Sequence, residues 1–138
     1  VVGGGDGTGR LDTTELLELP EMAFSPGPRL GVERSRCAAA MLGERRLIVI
    51  GGNDSFTTFD STEVLDLETM TFSPGPRMGS RRACCAVAPA DARWLLVFGG
   101  FSRPNRLDST EILDVTSMVF EPGPRMTTRR AACAAVTC

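Results

Sequence analysis

The chain has 138 residues, with 15 basic and 17 acidic groups and a formal charge of −2. It contains no His, Tyr or Lys, so every basic residue is Arg. Ser-His-Asp and Cys-His mechanisms, His-ligated metals, lysine phosphate loops and Schiff bases are therefore excluded.

The weak acidity also argues against non-specific binding to nucleic acid or membrane surfaces, which needs a basic excess. No apolar run approaches the roughly 18 residues of a membrane span. Hydrophobic residues make up 42%, enough for a folded core rather than a disordered tail. The chain starts at Val1 and shows no basic leader or signal-peptide core, so it reads as a segment or a processed piece. The five cysteines, Cys37, Cys84, Cys85, Cys133 and Cys138, form no Cys-x-x-Cys pair. They read as small buried thiols in a reducing, cytoplasmic setting, with neither a disulfide framework nor a metal site. Adjacent on a strand, Cys84 and Cys85 would point to opposite faces.

The dominant feature is an internal repeat. Pro-Gly-Pro-Arg recurs at Pro26–Arg29, Pro74–Arg77 and Pro122–Arg125, a period of 48 residues. The pairs Gly3-Gly4, Gly51-Gly52 and Gly99-Gly100 keep the same period, as do Asp12, Asp60 and Asp108, Thr14-Glu15, Thr62-Glu63 and Thr110-Glu111, Phe24, Phe72 and Phe120, and Cys37, Cys85 and Cys133. The units run approximately 1–30 (incomplete), 34–78 and 82–126, with 130–138 as the first strand of another.

Along the unit that starts at Arg82, four strands are expected. Ala83–Ala88 is a small-residue strand, followed by a turn at Pro89–Ala92. Trp94–Phe98 is a continuous apolar strand closed by Gly99-Gly100, where a bulge or a close backbone approach would exclude a Cβ. A polar loop spans Phe101–Asp108. Thr110–Val115 alternates as a third strand, and Met118–Glu121 forms a fourth, stopped by Pro122-Gly123-Pro124. No segment has the period of an amphipathic helix. The fold class is all-β, and a four-stranded unit of about 40–50 residues suggests the blade of a β-propeller. Its innermost strands would need the small side chains of Cys37–Ala40, Cys85–Ala88 and Cys133–Val136.

At these residues the chain resembles the kelch repeat. Ile50-Gly51-Gly52 matches its glycine pair, Leu65 stands at its Tyr position, Phe72 at its Trp position, and Met78 and Arg82 at its Met and Arg. The other copies supply Leu17, Phe24, Leu30 and Arg34, and Leu113, Phe120, Met126 and Arg130. Leu for Tyr and Phe for Trp in every copy remove polar links between blades but keep the apolar contact. The resemblance implies a kelch-type propeller with antiparallel four-stranded blades, of which about three are present. Three blades leave two open edges. The expectation is a segment of a larger propeller, with a head-to-tail homodimer making a six-bladed ring as the alternative.

Several motifs have plain readings. Gly3–Gly9 looks like a phosphate cradle, but no helix or Lys follows. A calcium loop on Asp6 is not sustained by Asp54 and Ser102. Glu15, Glu63 and Glu111, alternating with leucines, should pair with an Arg from a neighbouring strand or loop. Asp12, Asp60 and Asp108 should accept loop N–H groups.

Arginine is the class with functional promise. Arg34, Arg82 and Arg130 precede the inner strands, doubled by Arg81 and Arg129. Arg10, Arg103 and Arg106 come from loops on the same face. One reading is a ring of guanidinium forks around a channel mouth, helped by Asn53, Ser55 and Asn105, that holds an acidic peptide or protein. The other is structural pairing of these arginines with the Glu set. The family resemblance implies a non-catalytic protein-interaction module without cofactor or metal, such as a substrate-recognition adaptor. The alternative is a piece of a kelch-type enzyme whose catalytic groups lie in other blades.

Overall fold

A computed structural model describes residues 1–136, so Cys138 lies outside the described residues. Among the described residues there are twelve strands and no helix. In chain order these are β1 (Glu15–Glu18), β2 (Ala23–Pro26), β3 (Ala38–Leu42), β4 (Arg46–Ile50), β5 (Thr62–Asp66), β6 (Thr71–Pro74), β7 (Ala86–Pro89), β8 (Trp94–Phe98), β9 (Phe101–Ser102), β10 (Asn105–Arg106), β11 (Thr110–Asp114) and β12 (Val119–Pro122).

They build two four-stranded antiparallel meanders, β3-β4-β5-β6 and β7-β8-β11-β12, and a two-stranded sheet, β1-β2. The register repeats with the sequence. Ala38 faces Ile50 as Ala86 faces Phe98. Leu17, Leu65 and Leu113 stand directly opposite Phe24, Phe72 and Phe120. These cross-strand pairs put apolar contact where the sequence keeps Leu and Phe together. The terminal prolines Pro74 and Pro122 sit on outer strands, where a missing N–H breaks no ladder.

The core runs from one sheet into the next. Ile48, Ile50, Leu95, Val97 and Leu113 are fully buried, with Val64, Met78 and Cys85 in the same cluster. Each such aliphatic side chain contributes about 1.5–3 kcal/mol by leaving water. Neither sheet could cover both its faces alone, so this packing makes one body of the units.

The double glycines fix the chain reversal that follows β4 and β8. Gly51 and Gly52 have φ of 60° and 91°, a region L side chains avoid. The Gly52 N–H donates to the Arg82 carbonyl at 2.8 Å, and a Cβ on Gly51 would run into that same oxygen. Gly99 and Gly100 do the same against Arg130. The expectation of close backbone approach is therefore met.

Besides residues 131–136, which form no strand although 130–138 was expected to be the first strand of another unit, two details differ from the sequence reading. Residues Ala83 to Cys85 are not in the inner strand, which begins at Ala86. Cys84 is left-handed at φ 54°, as are Arg36 and Ala132 at 56° and 54°. Their backbones form a chain across the units: Cys84 N–H donates to the Arg36 carbonyl and Ala132 N–H to the Cys84 carbonyl, both at 2.8 Å. Satisfying these inter-unit donors outweighs strand pairing here, so Cys84 and Cys85 do not alternate across one strand. The second difference is the small hairpin β9–β10 inside the loop expected to be irregular.

Candidate functional site

The link after each fourth strand and the loop after each second strand meet on one face of the molecule. Bridges Ser35–Asn53, Ala83–Phe101 and Leu107–Arg130 join them. This is the face on which the arginines were expected to gather, and the structure divides them into three groups.

The first group is buried. Arg34 and Arg82 have no exposed surface at all. Arg82 donates from Nε to Glu111 at 3.0 Å, with Nη2 in ion-pair contact with the same oxygen at 2.9 Å, from Nη2 to the Ser109 hydroxyl at 2.9 Å, and from Nη1 to the carbonyls of Gly99 and Ser109 at 2.7 and 2.9 Å. Glu111 also accepts the N–H groups of Gly79 at 2.6 Å and Ser80 at 3.1 Å. One guanidinium thus ties the link leaving one sheet to the third strand of the next. Arg34 repeats this with Glu63 at 2.8 Å and the Gly51 carbonyl at 2.8 Å, while the Gly31 N–H donates to Glu63 at 2.6 Å. Its Nε has no partner, and its guanidinium lies 5.2 Å from the centre of the Phe59 ring.

The expectation that Arg34 and Arg82 contact a partner is therefore corrected. Every route to solvent is closed, and their charge is already met by Glu63 and Glu111. Asn53 is likewise buried. Its side-chain amide donates to the Asp54 carbonyl at 2.7 Å, which shapes its own loop.

The second group is exposed and paired. Arg29, Arg77 and Arg125 bind Asp12, Asp60 and Asp108 at 2.7, 2.8 and 2.8 Å. These aspartates were expected to accept loop N–H groups. The arginine after each Pro-Gly-Pro turn reaches them instead. The Asx role belongs to Asp6 and Asp54. Hydrogen bonds from Thr8 and Gly9 hold the Asp6 carboxyl at about 2, and N–H bonds from Thr57 and Phe56 hold the Asp54 carboxyl below its ordinary value.

The third group is exposed and free. Among the described residues, Arg36, Arg81, Arg103, Arg106, Arg129 and Arg130 enter no ion pair. Three of them, Arg36, Arg106 and Arg129, line one open cavity of about 670 Å³. Its apolar wall is Phe101, Pro104, Ala131 and Ala132, with Cys84 and Asn105 completing it. The β9–β10 hairpin supplies Phe101, Asn105 and Arg106; the links before β3 and after β12 supply Arg36 and Arg129. A smaller cavity of about 150 Å³ beside it holds Arg81 and Arg103 with Phe56 and Ser102. Ser55 is exposed on the loop before Phe56. Arg130 is exposed, and its backbone carbonyl accepts the Gly100 N–H.

Of the residues singled out from sequence, Arg106, Arg129 and Asn105 thus meet in one cavity, and Arg81 and Arg103 line its neighbour. Arg36 escaped notice because its 48-residue counterparts are Cys84 and Ala132, so the period hides it. Its place two residues after the buried Arg34, at the point where the chain turns into an inner strand, is the signal that marks it. Cys85 lies deep in the core, where burial pushes its thiol up to about 11. Burial also raises Cys37. Neither is prepared for nucleophilic work. The described cysteines are all free thiols.

The geometry defines an all-β protein of repeated antiparallel sheets with a cationic cavity on its loop face. Comparison with models of known protein families gives no match, and comparison with curated proteins gives none either. Among the described residues, no helix is long and apolar enough to cross a membrane.

Proposed function

We propose that the chain is a run of kelch-type β-propeller blades that serves as a protein-interaction module, and that its loop face captures an acidic segment of a partner protein. The observation that carries this reading is the cavity shared by Arg36, Arg106 and Arg129, none of which has a carboxylate partner among the described residues. Three planar forks converging on one open cavity suit carboxylates, which they bind in a bidentate manner. The wall of Phe101 and Pro104 offers apolar contact to the stem of a glutamate or to a flanking aliphatic residue. The blade assignment rests on the 48-residue period, the four-stranded meanders and the glycine pairs.

The test is fluorescence anisotropy with a labelled glutamate-rich peptide, in salt from about 0.05 to about 0.3 M, a range over which screening of exposed charges tightens strongly. The expected result is saturable binding that weakens with salt. The triple variant Arg36→Ala/Arg106→Ala/Arg129→Ala should bind about tenfold or more weakly, since each 1.4 kcal/mol is a factor of about ten. Equal binding by wild type and the triple variant would refute the assignment.

A further inference from the structure

Phe56 is an aromatic side chain that the packing of the fold does not explain. It is 88% exposed, and its counterparts 48 residues away are Thr8 and Pro104, so the repeat requires no ring here. It belongs to the unit 34–78, which has a neighbouring unit on each side in the chain. Its loop is nonetheless well tied. The Asp54 carboxylate accepts the N–H groups of Phe56 and Thr57, the Asn53 side-chain amide donates to the Asp54 carbonyl at 2.7 Å, and a bridge between Asn53 and Thr58 closes the loop. A ring held in water by a loop whose polar groups are satisfied is preorganised for apolar contact, because little further ordering is needed on binding.

Phe56 shares the cavity of about 150 Å³ with Arg81 and Arg103. Both arginines are exposed, and neither enters an ion pair among the described residues. The β9–β10 hairpin lines both cavities: Ser102 and Arg103 face the smaller one, and Phe101, Asn105 and Arg106 the larger. A two-stranded hairpin with strands about 4.8 Å apart is about 10 Å wide, and an extended peptide covers that in about three residues.

We infer that the acidic segment bound in the larger cavity continues past the β9–β10 hairpin and lays an aromatic side chain on Phe56, with Arg81 and Arg103 holding a carboxylate beside it. The inference rests on the reading of the loop face as a site for an acidic segment, and it adds the residue pattern that the site selects. Charge complementarity names the occupant: two unpaired guanidinium groups flanking an apolar ring fit an aromatic residue next to an acidic one. The continuity of the two cavities along one hairpin makes it the same segment rather than a second ligand.

Fluorescence anisotropy tests this with the labelled glutamate-rich peptide carrying a tryptophan at each successive position beyond the glutamate run, each matched by an alanine peptide. A tryptophan about three residues beyond the run should bind wild type about fivefold more tightly than its alanine match. Phe56→Ala should erase that gain while binding the alanine peptides as wild type does, and Phe56→Trp should keep it. A glutamate beside the favoured tryptophan should tighten binding about threefold further to wild type, but not to Arg81→Ala/Arg103→Ala. All three positions are exposed, so circular dichroism should show an unchanged fold in each variant. If no glutamate-rich peptide binds, the acidic-segment reading falls and this inference with it. If the alanine peptides bind, that reading stands, and three results would each overturn this inference alone: a tryptophan that adds nothing at any position, a gain that survives Phe56→Ala, or a flanking glutamate that helps the double variant as much as wild type.

Discussion

Arg34 and Arg82 can be set against Arg36, Arg106 and Arg129. All five lie within or beside the loops of one face, yet two are sealed inside the molecule and three stand open. The difference follows from the repeat. Arg34 and Arg82 recur together with Glu63 and Glu111, each carboxylate 29 residues downstream of its arginine, so the period supplies both buried charges with a partner. Arg36 does not recur, since its counterparts are Cys84 and Ala132; Arg106 recurs at Arg10 but not at Thr58, and Arg129 recurs at Arg81 but not at Glu33. The arginines that recur together with a carboxylate hold the units to one another, and those without one stay open at the surface.

The largest effect that could break this contrast is on stability. Arg82→Ala leaves Glu111 buried with only the Gly79 and Ser80 N–H groups, and should cost about 3–5 kcal/mol in urea unfolding. Arg34→Ala should cost less. Its Nε is orphaned and its bonds to Ser61 are long at 3.3 and 3.4 Å, whereas Arg82 turns both Nε and Nη2 toward Glu111 and holds Ser109 twice at 2.9 Å. A larger loss for Arg34→Ala would reverse the ranking of the two pairs.

A smaller effect is expected at the exposed pairs. Arg77→Ala breaks the contact with Asp60 on a surface where such pairs contribute about 0–1 kcal/mol, and salt should narrow its difference from wild type. For Arg36→Ala/Arg106→Ala/Arg129→Ala the unfolding free energy from urea titration should stay within about 0.5 kcal/mol of wild type, because no intramolecular ion pair is lost. A clear destabilisation would move these residues into the structural class.

The thiols sharpen the same boundary. The Cys85 thiol titrates near 11 because it is buried, so iodoacetamide at pH 8 should leave it unmodified while the cavity-lining Cys84 reacts. Peptide mapping reads this directly, and equal labelling of the two would place Cys85 at the surface. The least effect is at low pH. The Arg93 guanidinium holds the Asp114 carboxyl at about 2, below the ordinary 3.8. Its contribution is present above 3.8 and is lost as pH falls toward 2. In Asp114→Asn the acid-induced loss of stability across that window should therefore shrink, measured by melting temperature against pH.

The sequence discloses the repeating part of this molecule well. The glycine pairs, the alternation in Thr110–Val115 and the Leu and Phe seven residues apart carry strand order and register, because the same local demand recurs every 48 residues. The structural reading of the Glu set was also present, since a carboxylate alternating with leucine on a packed face needs a cation. What the pattern could not tell was which arginine each carboxylate takes. Arg29, Arg34 and Arg36 all precede the same strand, and burial alone separates them. The start of the inner strand was misplaced for a similar reason. Ala83 and Cys84 have strand-like small side chains, but hydrogen bonds between distant units hold Cys84 in a left-handed conformation. Arg36 was invisible to any reading built on periodicity.

Phenylglyoxal footprinting of arginine, read by mass spectrometry with and without a glutamate-rich peptide, tests the division most directly. Arg36, Arg106 and Arg129 should react in the native protein and be shielded when the peptide is present, while Arg34 and Arg82 should stay unmodified until the protein unfolds. Modification of Arg34 and Arg82 at the rate of the other three, or a peptide that shields none of them, would contradict the account.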